Sequence, residues 1–173
     1  MIGFINASPL IYLGKIGLLK YLPQLFSRVI TAQEVKNEVL SDNSAPENPV
    51  LELAFSKWME VEEPKDKDLL EKLNGLNIHA GEASIVVLAK EYSETDARDE
   101  GILIIDDLAA RNIAKTFGLE VTGTIGIMLL ITEKNLIEPK DCIENLRYLV
   151  EETTFRISTR IYSLLMKHLE GMK

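Results

Sequence analysis

Short apolar runs alternate along this chain with longer segments in which apolar residues recur at helical spacing. The short runs are rich in β-branched residues and end at polar or turn-forming residues, which is typical of strands. They predict strands at 2–5, 29–30, 58–62, 102–105 and 119–121. Strands that alternate with helices predict an α/β fold with a mainly parallel sheet and helices on both sides.

The strand predicted at 102–105 is the clearest of these runs. It holds four consecutive apolar residues and is followed at once by Asp106 and Asp107. Such a run is typical of a strand that is buried on both faces of a parallel sheet. A helical pattern follows, carried by Ala109, Ala110, Ile113, Ala114 and Phe117. The two aspartates therefore lie where a buried strand passes into a helix, which is the edge where open α/β sheets bind ligands.

Capping residues predict where some helices begin. Ser8 is expected to cap a helix whose first residue is Pro9. Thr31 and Glu34 match a capping box, in which a hydroxyl and a carboxylate satisfy free amides at a helix start. Further helices are predicted at 18–26 with a break at Pro23, and at 50–57, 68–73, 81–92, 125–134, 139–150 and 158–169. Residues 42–49 are expected to form a loop, either a lid or a surface excursion, and 93–100 a polar linker.

Composition is that of an ordinary globular protein. The 173 residues are 46% hydrophobic and 27% charged, and no apolar run is long enough to span a membrane. The apolar start at Met1 has no basic leader and no small-residue cleavage site, so we expect no export signal and a cytoplasmic location. Cys142 is the single cysteine, which excludes an internal disulfide. We expect one domain over 1–173, with C-terminal helices at about 139–173 packed on it.

The net charge of −8 argues against a protein that coats duplex DNA, because such binding needs a broad basic surface. It does not exclude an enzyme that acts on nucleic acid, since a metal site is built of carboxylates. Cations that can guide a phosphate backbone are present locally, at Lys15, Lys36, Arg111 and Lys115.

Polar side chains follow the predicted strands at points that one sheet edge can bring together. They are Asn6, Ser8, Glu38, Asp106, Asp107 and Thr124. Glu82 adds a carboxylate on the inward stripe of its helix, which carries Ile85, Val86 and Ala89. No lysine or arginine lies on that stripe, and an unpaired buried carboxylate is costly. A divalent metal such as Mg²⁺ or Mn²⁺ is a natural partner for these oxygens.

Each of these residues also has a structural interpretation. Glu82 can complement a helix dipole, Glu38 can belong to a solvated face with Glu34, and the aspartate pair can be an N-cap and its neighbour. Ser8 and Thr124 can be caps. The histidines, His79 in a loop and His168 in a solvated helix, are poor candidates for catalysis. The joint placement of the acids is what favours a site.

Other chemistries fit the sequence less well. It has no phosphate-binding Gly-rich loop of the nucleotide-binding kinds and no nucleophile elbow. An aspartyl-phosphate receiver also has paired acids after a buried strand, but here the pair follows the fourth predicted strand, later than in a receiver.

Five short motifs in this order resemble the PIN-domain family. They are Asn6-Ala7-Ser8-Pro9-Leu10-Ile11, Glu38, Ala80-Gly81-Glu82-Ala83-Ser84, Leu103-Ile104-Ile105-Asp106-Asp107 with Arg111, and Gly123-Thr124-Ile125-Gly126. More narrowly, the chain looks like the prokaryotic PIN proteins related to VapC toxins, and Phe155-Arg156-Ile157-Ser158 suits that branch. The resemblance runs through nearly the whole chain.

The resemblance implies a Rossmann-like, three-layer α/β/α sandwich and a Mg²⁺- or Mn²⁺-dependent ribonuclease, often a homodimer. Such a protein acts on RNA and can be the toxin of a pair with an antitoxin protein. By resemblance, the metal ligands are Asn6, Glu38, Glu82, Asp106 and Asp107, of which the four acids are catalytic. Either aspartate can be the direct ligand and the other its support. Ser8 and Thr124 would orient ligands or waters, while Arg111 and Lys15 would contact the RNA backbone.

Asn6 departs from the family pattern, in which the first strand usually ends in aspartate. An amide oxygen can coordinate a metal, but it carries no charge and cannot act as a base. The expected protein is therefore a metal-demanding nuclease. The alternative is a PIN-like module that binds RNA or protein without cutting.

Overall fold

In the computed structural model, which describes residues 1–95 and 100–172, every predicted strand is present. The strands are β1 (Ile2–Ile5), β2 (Arg28–Ala32), β3 (Met59–Glu62), β4 (Gly101–Ile104) and β5 (Glu120–Thr122). They form a parallel sheet in the order β3-β2-β1-β4-β5. All residues of β1 are buried, so the central strand of the sheet is covered on both faces.

Ten α-helices accompany the sheet in the described part of the chain. They are α1 (Ala7–Lys15), α2 (Leu22–Leu25), α3 (Gln33–Val39), α4 (Asn48–Lys57), α5 (Lys67–Asn74), α6 (Ala80–Thr95), α7 (Leu108–Thr116), α8 (Thr124–Glu133), α9 (Pro139–Glu152) and α10 (Thr159–Gly171). A 3₁₀ turn at Leu19–Tyr21 precedes α2. Right-handed crossovers place α1 to α4 on one face of the sheet and α5 to α7 on the other. The expected three-layer α/β/α fold is thereby confirmed.

The chain divides into two compact units, Met1–Thr124 and Ile125–Lys173. The first contains the sheet and α1 to α7. In the second, α9 packs against α10, and Cys142, Leu146 and Leu169 are buried. Burial raises the pKa of the Cys142 thiol, which keeps it in the unreactive neutral form. A single domain with C-terminal helices packed on it stays a prediction.

The helix that follows β1 starts earlier than predicted. α1 begins at Ala7 with Asn6 in the N-cap position, so Ser8 is not the cap and Pro9 is the third helical residue. Proline is tolerated there because amides of the first turn have no partner within the helix. α1 continues through Gly14 to Lys15, and the chain then turns at Gly17, whose φ of 68° is in the left-handed region.

The capping box predicted at Thr31 and Glu34 is wrong. Thr31 belongs to β2, and its hydroxyl donates to the carbonyl of Ile5 at 2.7 Å. The N-cap of α3 is Ala32, which makes no side-chain bond to the helix. The hydroxyl thus joins two neighbouring strands, a role that a local motif does not reveal.

Two other predicted boundaries shift. The loop predicted at 42–49 ends earlier, because α4 begins at Asn48, which is buried and donates its amide to the carbonyl of Asp42. The polar linker predicted at 93–100 is helical up to Thr95, and residues 96–99 lie outside the described part of the chain. None of the described helices is long and apolar enough to cross a membrane.

Candidate metal centre

The carboxyl ends of β1, β2 and β4 bring polar residues to one edge of the sheet. Asn6 follows β1, α3 with Glu38 follows β2, and Asp106 and Asp107 follow β4 after the buried Ile105. Because β1 pairs with both β2 and β4, its end lies between the other two. This edge is where the parallel arrangement predicts a ligand.

Asn6 is at the centre of this edge and has an unused oxygen. Its side chain is 3% exposed, and Oδ1 is buried with no hydrogen-bond partner among the described residues. Its backbone N–H donates a hydrogen bond to the carbonyl of Ile104 at 3.0 Å. A buried polar atom without a partner costs about 1–3 kcal/mol, so Oδ1 is an acceptor in need of a donor or a cation.

Gly81 shows which side chains meet Asn6. A Cβ atom at this position would lie 3.8 Å from Oδ1 of Asn6, 3.1 Å from Oε2 of Glu38 and 3.2 Å from Cγ2 of Val35. Glycine therefore lets the first turn of α6 approach α3 closely. The carboxylate of Glu38 and the amide of Asn6 border the same small space.

Glu82, the next residue of α6, is half-buried beside this space. Its Oε2 accepts the backbone N–H of His79 at 2.9 Å, which caps the helix start. Burial raises the pKa of Glu82, and the negative charges of Asp107 and Glu38 raise it further against the opposing hydrogen bond. The carboxylates of Asp107 and Glu38 therefore each lie close enough to Glu82 to disfavour its negative charge.

Asp106 and Asp107 have different partners. Asp106 accepts two hydrogen bonds from Thr124, one from the backbone N–H at 2.8 Å and one from the side-chain hydroxyl at 2.6 Å. Burial raises the pKa of Asp106, while the bonds from Thr124 and the charge of Arg111 act in the opposite direction. Asp107 is exposed and accepts the N–H of Ala110 at 2.8 Å as the N-cap of α7. Both oxygens of Asp106 thus accept hydrogen bonds from Thr124, whereas the cap bond of Asp107 occupies only its Oδ1.

Gly123 makes room for the pairing between Asp106 and Thr124. A Cβ atom there would lie 2.5 Å from Oδ1 of Asp106 and 3.0 Å from Nη1 of Arg111. Thr124 itself is completely buried. Only a residue without a side chain fits between β5 and the carboxylate.

The remaining predicted site residues differ in placement. Ser8 lies in the first turn of α1 and is half-buried. Arg111 lies beside Asp106, at the edge of the site. Lys15 pairs with the buried Glu47 at 3.1 Å. That ion pair occupies the ammonium group expected to reach RNA.

The sequence predicts Glu34 in a capping box, but its environment in the structure does not fit that role. Its Oε2 is buried and has no hydrogen-bond partner in the described part of the chain. The spacing of Glu34 and Glu38, four residues apart on a helix, indicates a shared face. The same spacing is visible in the sequence, where it also fits a solvated face shared by the two glutamates.

The donor set suits a hard divalent cation, because it consists of carboxylate oxygens and an amide oxygen that lacks a partner. Among residues 1–95 and 100–172, however, no three acid, histidine or cysteine side chains converge tightly enough to hold one ion. The side chains of Glu38, Glu82 and Asp107 would have to rotate inward to bind it together.

A comparison with protein families supports this description. The family model for DUF3368, described as a PIN domain, matches residues 2–171. A search of curated proteins found no match.

Proposed function

Because this chain belongs to the PIN-domain family, we propose that it is a divalent-metal-dependent endoribonuclease that cuts single-stranded or structured RNA. PIN domains are generally nucleases, act on nucleic acids and typically use divalent metal ions. The RNA substrate and the choice of Mg²⁺ or Mn²⁺ belong to the proposal.

The observation that carries this proposal is the group of oxygens around Gly81. Glu38 and the unpartnered Oδ1 of Asn6 border one space, and the charges of Asp107 and Glu38 act on Glu82. Acids that repel one another at a ligand-binding sheet edge are stabilised when a cation joins them. Such perturbed groups are typical of functional sites.

Asn6, Glu38, Glu82 and Asp107 would hold the cation. When bound, a divalent cation neutralises charge on a scissile phosphate and acidifies water. Asp106 holds Thr124 and lies beside the guanidinium of Arg111 at the edge of the site.

The test is cleavage of a labelled single-stranded RNA by the metal-free protein after addition of Mn²⁺ or Mg²⁺. We expect chelator to abolish cleavage, and Glu82→Gln and Glu38→Gln to reduce it by at least about 100-fold, as loss of charge stabilisation does elsewhere. Glu52→Gln, which changes an exposed glutamate of α4, is the matched control and should cleave normally. Cleavage that survives chelator or the two site variants would contradict the proposal.

A second candidate function is binding of RNA or a partner protein without cleavage. Asn6 favours it, because the amide contributes no charge to the metal and cannot serve as a base. Asn6→Asp separates the two. In a nuclease with a nearly complete site this change raises cleavage sharply, whereas a protein that only binds stays inactive and keeps its RNA affinity.

A toxin role is part of the proposal and is tested in cells. We expect expression of the wild-type chain to arrest growth, and expression of Glu82→Gln at equal level to permit it. A small acidic protein encoded next to this chain would be the antitoxin to test for rescue. Homodimer formation is checked by light scattering of the purified protein.

A further inference from the structure

Two buried oxygens near the end of β1 lack partners in the described part of the chain. One is Oδ1 of Asn6 and the other is Oε2 of Glu34. Buried acceptors in folded proteins are nearly always satisfied, so two orphans in one region require an explanation. A carboxylate oxygen without a donor is the more costly of the two, because it carries charge.

The sheet brings Glu34 and Asn6 near each other. Phe4 of β1 pairs with Ile30 of β2 in parallel register, which sets Asn6 level with Ala32. Paired strands are about 4.8 Å apart, and α3 starts at Gln33, directly after Ala32. The first turn of α3, with Glu34, therefore begins beside Asn6. The bond from Thr31 to the carbonyl of Ile5 fixes the two strand ends in this relation.

The contacts of α3 place Glu34 on the side of the proposed metal site. Val35 and Glu38 both border the space at Gly81, where the amide of Asn6 is also found. Glu34 precedes Val35 and lies one turn before Glu38, so it shares the helix face of Glu38. Glu34 is thus on the turn of α3 nearest the sheet, and Glu38 is on the turn beyond.

We propose that Glu34 is a further metal ligand of this site, and that its carboxylate supplies the negative charge that Asn6 does not. The inference rests on the proposed metal-dependent function. It accounts for both orphan oxygens, since a hard cation accepts an amide and a carboxylate oxygen together. It also keeps the number of acids at four, with Glu34, Glu38, Glu82 and Asp107.

A role for Glu34 in complementing the helix dipole does not explain its environment. That role is satisfied by exposed side chains, as Asp68 in the first turn of α5 illustrates. Glu34 instead has a buried oxygen, which brings a desolvation cost that a dipole complement does not require.

The test is titration of the metal-free full-length protein with Mn²⁺ by calorimetry, which does not depend on catalysis. Glu34→Gln should weaken Mn²⁺ binding by about tenfold or more, the size of effect that metal-site residues have. Glu52→Gln should leave the affinity unchanged, and thermal unfolding of the metal-free variants checks that each is folded. The decisive variant is the double substitution Asn6→Asp with Glu34→Gln, which returns the missing charge at the neighbouring position and should restore most of the lost affinity.

The outcomes separate this inference from the proposed function. If the wild-type protein binds Mn²⁺ and Glu34→Gln binds it equally well, Glu34 is not a ligand and the proposed function still stands. If Glu34→Gln is weakened but the double variant is not restored, Glu34 does not replace the charge missing at Asn6. If the wild-type protein binds no Mn²⁺, the proposed function fails and this inference fails with it.

Discussion

Asp106 and Asp107 are adjacent in sequence, but their side chains have different hydrogen-bond partners. The carboxylate of Asp106 is bound on both oxygens by Thr124, and the exposed carboxylate of Asp107 acts on Glu82. Their sequence context is the same, so the distinction comes from which way each side chain points after β4. Variants of the two residues should therefore fail in different assays.

We expect Asp106→Ala to reduce the free energy of unfolding by about 1–3 kcal/mol, because the buried amide and hydroxyl of Thr124 lose their acceptor. Asp107→Asn should keep the stability within about 0.5 kcal/mol, since asparagine caps helices as well as aspartate. It should instead weaken Mn²⁺ binding. Denaturant unfolding and calorimetric titration measure the two effects, and equal stability of both variants would contradict the assignment.

The partly buried charge of Glu82 is expected to destabilise the metal-free protein at neutral pH. The pKa of Glu82 in the folded protein is raised above the ordinary value of 4.5. Its favourable contribution to the free energy of unfolding is therefore complete below pH 4.5, and it is lost as the pH rises through the pKa of the folded state. In the metal-free protein, Glu82→Gln should therefore raise the melting temperature at pH 7. Gln retains an oxygen that can accept the N–H of His79.

The gain from Glu82→Gln should shrink as the pH falls and vanish below about pH 4, where both side chains are neutral. Thermal unfolding in chelator across this range measures it, with the exposed Glu52→Gln as control. A gain that is independent of pH would point to packing and not to charge.

At the scale of elements, alternation of short β-branched runs with helical patterns was enough to predict the sheet and most helices. Apolar residues recur with the period of the element that buries them, so strands and helices can be recognised in the sequence, as the apolar run at 102–105 illustrates. The errors lie where a side chain bonds across elements. Thr31 looked like a cap because its neighbours match a local motif, and its true partner, the carbonyl of Ile5, is remote in sequence.

The sequence predicts that the candidate site residues lie at strand ends and helix starts, but it does not predict how their side chains are arranged. Asn6, Glu38, Glu82 and the aspartate pair follow strands or open helices, and that much is visible in the chain. The close approach at Gly81, the engagement of Asp106 by Thr124 and the burial of Oε2 of Glu34 depend on packing between elements that are distant in sequence. Periodicity does not carry that information.

The junction between β5 and α8 offers a test at this scale. Gly123→Ala should destabilise the protein by about 1–3 kcal/mol, because the new methyl group would overlap the carboxylate of Asp106. Gly171→Ala is the matched control, since a Cβ atom at Gly171 meets nothing within 4 Å. Chemical denaturation compares the two variants, and equal stability would show that the junction adapts without cost.

For the whole molecule, the net charge of −8 and the negative charges of Asp107 and Glu38 near Glu82 predict stabilisation by divalent cations. A ligand that binds only the folded state at about 100 times its Kd adds about 2.7 kcal/mol to the free energy of unfolding. We expect Mn²⁺ to raise the melting temperature and chelator to reverse the rise. Sodium chloride at equal ionic strength is the control, and an equal rise there would indicate screening in place of binding.

The central position of β1 affects how the chain folds as it is synthesised. β1 pairs with β2 soon after in sequence, but its other edge waits for β4, more than half the chain later. Until β4 has been made, the apolar strand β1 has one edge without a hydrogen-bonded neighbour, and such an edge can pair wrongly with other chains. Asn6 and the acids of α3 are made before Glu82 and Asp107, so the candidate site is incomplete in a nascent chain that has not yet reached Asp107. Under the proposed function, cleavage of RNA therefore begins only after synthesis has passed β4.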